Sequence, residues 1–292
     1  MHKFLRAVGF SEITKEELNY IFEKVIEHPT FQKVAEDSEG NEFIELTKEF
    51  GDLFGLSLRG TYDEFDEFHM DYYYPYFCGT TISTHEKPDI EKHAEKESYA
   101  GICDEIRVGV SLIFYLQNVM DYLTEKNNPI YHMQKNGVVL SALSTDGKIL
   151  LPICKDEKKR EQLEQQRRDR NSLIAAARNG DEDAIENLTL EDIDTYSLLS
   201  RRIMREDILS IVENYFMPYG IESDQYAILG EIMDCKLLQN EYTGENVYAM
   251  ELMCNDLPFS VCINQKDLLG EPAVGRRFKG TIWLQGSIYY QS

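Results

Sequence analysis

The most distinctive set of reactive side chains lies between residues 62 and 77, where Asp63, Asp66, Glu67, His69 and Asp71 run into Tyr72-Tyr73-Tyr74-Pro75-Tyr76-Phe77. Carboxylates and an imidazole ligate hard cations and move protons. These five would therefore serve a divalent ion or a hydrolase-type reaction if a turn or a strand pair gathered them. The competing reading is an edge strand that uses charge to repel further pairing. The neighbouring tyrosines add amphipathic area of the kind that protein interfaces use.

A second set ends the chain. Between Gly275 and Gly286, the cations Arg276, Arg277 and Lys279 stand close to Trp283, the only tryptophan. In a small barrel this mixture suits a nucleotide or single-stranded nucleic acid, with a base stacked on Trp283 and phosphates on the cations. The plainer alternative is a closing strand whose aromatic residues fill the core and whose basic residues stay wet. Charge favours the plainer one: 52 acidic against 30 basic residues give a net charge of −22, and such a field repels polyanions and acidic membrane surfaces. Nucleic acid is therefore not an expected partner.

Other signatures are incomplete. No GxxxxGK[ST] loop or GxSxG elbow occurs, and the glycines at 51, 55 and 60 read as turn residues. His93-Ala94-Glu95 matches half of a zinc-deaminase signature, but Pro152-Ile153-Cys154 does not supply the missing PCxxC. His85-Glu86-Lys87-Pro88-Asp89 opens like a zincin helix that Pro88 would interrupt. The 6 cysteines form no CxxC pair and read as reduced, mostly buried thiols. A nucleophilic Cys78 or Cys103 would require a distant histidine. No cofactor is expected.

The elements that position these residues can be traced from spacing. Thr14 and Glu17 form a capping-box pair ahead of the stripe Leu18, Ile21, Phe22, Val25 and Ile26, and Pro29 ends that helix. From Asn41 to Thr81 glycines recur and aromatic residues are dense, which predicts antiparallel strands. Ile106, Val108, Val110, Leu112 and Phe114 alternate, after which Leu116, Val119, Met120 and Leu123 take helical spacing. Ser144-Thr145-Asp146-Gly147 reads as a hairpin turn between two strands.

Lys155 begins a charged stretch with few apolar residues, read as a helix polar on all sides that bridges domains. Gly180 is a left-handed cap there, Asp181 an N-cap, and Thr189 with Asp192 starts another helix. Residues Glu206 to Met217 suit either a helix or a strand. Beyond Tyr226, four strands are expected at Ile228 to Leu238, Asn246 to Met253, Phe259 to Ile263 and Phe278 to Ile288.

Certain phrases carry a resemblance: His2-Lys3-Phe4-Leu5-Arg6-Ala7-Val8-Gly9-Phe10, Ser98-Tyr99-Ala100-Gly101-Ile102-Cys103-Asp104, Pro218-Tyr219-Gly220-Ile221-Glu222-Ser223-Asp224-Gln225-Tyr226 and the Gly275 to Gly286 stretch. On these residues the chain resembles an uncharacterised family of clostridial proteins of unknown function. The resemblance implies a bacterial cytosolic setting and transfers no catalytic residue.

The fold expected is α+β: an α+β domain over 1–154 with an antiparallel sheet and packed helices, a helical connector over 155–222, and a small barrel-like β module over 223–292. The expected function is unknown in its specifics, and the best reading is a cytoplasmic, non-catalytic binding or scaffolding protein whose partner is another protein. The start Met1-His2-Lys3-Phe4-Leu5-Arg6 has no apolar core of a signal peptide, and the apolar run Val108 to Leu116 is too short to span a bilayer. The alternatives are the acidic and histidine enzyme near 63–71 and the nucleic-acid or nucleotide site at Arg276, Arg277, Lys279 and Trp283.

Overall fold

The computed structural model describes residues 1–93, 97–127, 134–153, 165, 169–170, 172–178, 180–189, 212–221 and 223–291. These are mostly strand, in two sheets flanked by helices. Helix α1 (Lys15–Glu27) starts as its sequence dictates: the Thr14 side chain accepts from the Glu17 amide while the Glu17 carboxylate accepts from the Thr14 amide. Its apolar stripe of Leu18, Ile21, Phe22 and Val25 packs in one cluster with Ile44, Leu46, Leu56 and Leu58. The latter four belong to a four-stranded antiparallel sheet made of β1 (Phe31–Glu36), β2 (Glu42–Gly51), β3 (Phe54–Tyr62) and β4 (Phe68–Phe77), paired in that order. Pro75 is tolerated because β4 lies at the edge of this sheet.

The second sheet has ten strands: β5 (Asp89–Lys92), β6 (Tyr99–Glu105), β7 (Val110–Leu116), β8 (Gln134–Leu150), β9 (Tyr215–Pro218), β10 (Gln225–Gln239), β11 (Asn246–Cys254), β12 (Leu257–Asn264), β13 (Leu268–Leu269) and β14 (Arg277–Gln291). Helix α2 (Val119–Asn127) follows β7 directly, as the change of period requires. The alternation that begins at Ile106 is broken, however, by a turn at residues 106–109 in which Gly109 takes φ +73°, so Ile106 and Val108 precede the strand. Four strands fall where they were expected after Tyr226. β11 and β12 are joined by Asn255 and Asp256 at φ 49° and 64°, the left-handed pair that a two-residue hairpin demands.

One expectation needs correction. No hairpin turn occurs at Ser144-Thr145-Asp146-Gly147, because β8 runs unbroken through it and its pairing with β14 shifts register there. Gly147 instead faces Gly280 across the ladder, and a Cβ on Gly147 would come within 2.5 Å of the Phe278 ring. The glycine makes room for an aromatic residue far along the chain and does not turn the backbone. The strands of residues 223–292 pair with β8: it bonds β12 on one side and β14 on the other, so β8, β12, β11, β10 and β14 pair in a closed ring. β7 adds to β14 outside that ring.

Period-two alternation sorts β14 between two cores. Phe278, Ile282, Leu284 and Ile288 enter one cluster with Val138, Leu140, Phe259 and Val261, while Trp283 enters the cluster shared with α1 and the first sheet. Each such fully buried side chain contributes about 1.5–3 kcal/mol relative to exposure. Between β8 and β9, Gly180 (φ +87°) and the Ala184 amide bonded to Asp181 Oδ1 at 3.1 Å form the expected cap pair. The open choice at Glu206 to Met217 resolves as strand from Tyr215 onward. Residues 206–211, most of the charged stretch after Lys155, Cys154, Ala94-Glu95 and the Thr189-Asp192 start beyond Thr189 lie outside the described residues.

Candidate functional site

The four-stranded sheet has one apolar and one polar face, and the register between strands assembles the polar face into rows. Glu45 pairs with Lys33 on one side and Arg59 on the other, and Arg59 pairs with Tyr72. The next row is Phe31, Thr47, Ser57 and Tyr74, and the one beyond is Glu49, Gly55 and Tyr76. These residues alternate with Ile44, Leu46, Leu56 and Leu58 of the apolar cluster, so strand periodicity alone fixes which side chains share the polar face. A Cβ at Gly55 would lie 2.8 Å from the Tyr76 hydroxyl, so the glycine leaves the space that the hydroxyl needs.

Arg59 is fully buried, at 0% exposure, in the middle of this face. Its Nε and Nη2 both reach Glu45 Oε1 at 2.8 Å. Nη1 donates to the Tyr72 hydroxyl at 3.1 Å and the Tyr115 hydroxyl at 3.4 Å, and Nη2 to the Tyr74 hydroxyl at 2.9 Å and the Gln117 carbonyl. The guanidinium carbon also sits 4.8 Å from the centre of the Tyr74 ring. Burial works against the Arg59 charge, but Glu45 and the tyrosine oxygens hold its pKa well above the usual value. Burial pushes the Tyr74 and Tyr115 hydroxyls well above theirs, although Arg59 opposes it. The group is therefore one cation, one carboxylate and neutral phenols, with every guanidinium edge occupied.

Beside it opens a cleft of about 210 Å³, lined by Phe31, Lys33, Glu45, Thr47, Glu49, Ser57, Tyr74, Tyr76, Cys78, Gln117, Asn118 and Ser287. Glu45 is 7% exposed and spends a single oxygen on its neighbours: Oε1 accepts from Ser57 at 2.8 Å, Tyr74 at 3.0 Å and Arg59. Among the described residues none donates to Oε2. A carboxylate oxygen without a donor is thus left on a residue that lines the cleft. At the rim, Lys33 is held by Asp121 at 2.8 and 3.0 Å. Burial, with Glu49 and Glu45 adding to it, pushes the Cys78 thiol up to about 11, so the sulfur remains protonated at neutral pH.

The residues singled out from the sequence lie elsewhere. Asp63, Glu67 and His69 come together at the tip of the β3–β4 hairpin, with one ligand atom from each within 4.8 Å of the others. Their own hydrogen bonds account for the gathering: Asp63 Oδ1 accepts from the Phe65 and Glu67 amides, and Oδ2 meets His69 Nε2 at 2.8 Å. The bond from His69 lowers the Asp63 pKa, and the same bond raises that of His69. Asp66 sits at the tip in a left-handed conformation, φ 59°, and Asp71 is exposed beyond the group.

On the last strand, Arg277 is buried and donates to the Leu151 and Val212 carbonyls at 3.1 and 2.9 Å. Arg276 donates to the Glu271 carbonyl at 2.6 Å. Lys279 and Trp283 are on one face of β14, four residues and about 13 Å apart at the rise of a strand. Trp283 is 6% exposed, stacks on Phe4 with ring centres 5.3 Å apart, and donates to Asp224 Oδ2 at 2.7 Å.

His2 packs against the same indole at 4.8 Å, and burial, followed by the Lys3 charge, lowers its pKa to about 4. In an unfolded chain His2 would bind its proton near pH 6.5, so the native state loses stability as pH falls from about 6.5 to about 4 and no further from this group below that. The loss is up to about 3 kcal/mol. Urea titrations at pH 7.5, 5.5 and 4 should show that difference between the protein and a His2→Phe variant, with the variant less sensitive to acid.

Sequence reading missed Glu45, Ser57, Arg59 and Tyr76 as a set. The residues 5–286 match a family model described as "Domain of unknown function, E. rectale Gene description (DUF3881)". No curated protein and no solved structure matches the chain.

Proposed function

We propose that this chain, which belongs to that family of unknown function, is a non-catalytic binding protein that takes a small polar molecule into the cleft on the polar face of its four-stranded sheet. The observation that carries this reading is Glu45: the residue is 7% exposed and lines a cleft of about 210 Å³, and its Oε2 accepts no hydrogen bond among the described residues. A carboxylate oxygen on a largely buried side chain, left without a donor beside a cleft, suits a ligand that completes it. The non-catalytic part rests on the other lining groups: the Cys78 thiol is pushed up to about 11 and the Tyr74 and Tyr76 hydroxyls are raised by burial, so none of the three supplies a nucleophile or base at neutral pH.

The ring of β8, β12, β11, β10 and β14 is read as a small barrel-like body that carries the sheet. A cytoplasmic setting is supported by five free cysteines among the described residues, the state expected in a reducing compartment. No helix among the described residues is long and apolar enough to cross a membrane.

The test is a melting-temperature screen of the full chain against small polar compounds, repeated with Cys78→Phe, which fills the cleft. Compounds that stabilise the protein are expected to lose their effect in the variant. Equal stabilisation of both proteins would move the binding site out of this cleft and end the proposal.

A further inference from the structure

We propose that the ligand group seated in this cleft is a compact primary ammonium, held by Glu45 Oε2 and enclosed by Thr47, Tyr74 and Tyr76. This rests on the cleft being a binding site and adds the chemical class of its occupant. An ammonium brings three donors and no acceptor. The cleft answers with acceptors: Glu45 Oε2, Thr47 Oγ1 and the Tyr76 hydroxyl, the last with no hydrogen-bond partner among the described residues. Thr47 follows Glu45 by one strand repeat on the same face, Tyr74 shares the row of Thr47, and Tyr76 lies in the row beyond.

The charges around the floor point the same way. The nearest cation, Arg59, directs its donors at Glu45 Oε1, three phenols and the Gln117 carbonyl, and none of them at Oε2. Lys33, the cation at the rim, is held by Asp121. Glu49 lies exposed at that rim, so the mouth carries a carboxylate that no cation of the lining answers. An anionic ligand would have to meet Oε2 with lone pairs against lone pairs. A neutral hydroxyl would fill one acceptor and leave the charge of Glu45 answered on one oxygen only. Aromatic side chains along the wall add the π surface that favours a desolvated cation. The net charge of −22 raises the local concentration of cations near the whole molecule.

Size limits the occupant. A cleft of about 210 Å³ accommodates a short alkyl amine. The carbon chain then runs toward Phe31 at the mouth, past Tyr76 and the Cys78 thiol, with its nitrogen at the floor.

Three probes of one size decide the matter: n-butylamine, n-butanol and sodium butyrate, titrated into the full chain at pH 7 and followed by amide chemical shifts. Butylamine is expected to bind at least tenfold more tightly than either of the others, and Glu45→Gln to erase that preference. Butanol or butyrate binding as well as butylamine would overturn the ammonium assignment while leaving the cleft a binding site. Failure of all three to perturb Thr47, Ser57 and Tyr76 would overturn the assignment and the binding role together. Should Glu45→Gln fail to fold once Arg59 loses its counter-charge, the unaltered protein still answers through nuclear Overhauser contacts of bound butylamine. The methylene next to nitrogen is expected near Ser57 and Thr47, and the terminal methyl near Phe31. The reverse orientation overturns the assignment.

Discussion

Arg59→Met is expected to cost about 3–5 kcal/mol of folding free energy, read as a lower urea midpoint at an unchanged slope. Methionine keeps much of the arginine stem and its packing, so the loss reports the guanidinium itself. Without it, Glu45 keeps a buried charge, Tyr74 retains only its bond to that carboxylate and a long contact with Gln117, and the Gln117 carbonyl loses its close donor. Such an uncompensated ion costs more than a lost contact, because desolvation has been incurred with no partner to offset it. Glu45→Leu leaves the converse orphan, a buried guanidinium without a carboxylate. The double substitution removes both ions and is expected to lie within about 2 kcal/mol of the original, far less than the two single losses added together. Additive losses in that cycle would show that the two residues act independently and that the row across β2, β3 and β4 is not a unit.

The cost of this pair also explains how the cleft reconciles stability with binding. Oε1 alone satisfies Arg59, Ser57 and Tyr74, so the fold is complete with the second oxygen unused. Had both oxygens been engaged by Arg59 in the bidentate manner that arginine favours, no acceptor would remain for a ligand. The buried ion pair therefore holds a carboxylate in place beside the cleft.

Local chemistry was legible along the chain and register was not. The Thr14-Glu17 box, the left-handed cap at Gly180, the Asp181 cap and the four strands after Tyr226 are each determined by a few consecutive residues, and each stands where spacing put it. Membership in an uncharacterised family was legible in whole phrases. Gly147 misled because Asp-Gly is turn chemistry only when nothing distant claims the glycine, and here the Phe278 ring does.

Glu45, Ser57, Arg59 and Tyr74 come from three strands, and no spacing in the linear order brings them together. One signal was present. Ile44-Glu45-Leu46-Thr47 and Leu56-Ser57-Leu58-Arg59 alternate apolar with polar, which marks a sheet with a polar second face. The dense acidic run at 63–71 is rich in charge but mostly exposed. Isolated charges inside alternating strands were the better guide, because only burial makes a carboxylate scarce and selective.

Residues 1–154 and 155–292, produced as two separate polypeptides, are each expected to lack native structure and to regain it only when mixed. The change of composition at Lys155 marks a break in the sequence, yet the hydrogen-bond ladders cross it. β14 pairs with β8 from Arg277 opposite Leu150 to Gln291 opposite Gln134, and β12 takes the other edge of β8 from Ser260 to Ile263. Cutting the chain leaves β8 with only its short bridge between Val138 and Thr84 and β14 without its longest partner, and unpaired edges of that length aggregate. The core is divided as well, since Val138, Leu140 and Ala142 lie on one side of the cut and Phe259, Val261 and Ile282 on the other, in a single cluster. Most of the ring therefore has no apolar interior until both pieces are present. Amide spectra make the test direct: each piece should give collapsed shifts, and an equimolar mixture should restore dispersion and the buried environment of Trp283. A native spectrum from 1–154 alone would mean that β7 and β8 are held by the first sheet and α2 without the later strands, and the closed ring would then be an association of two bodies that fold separately.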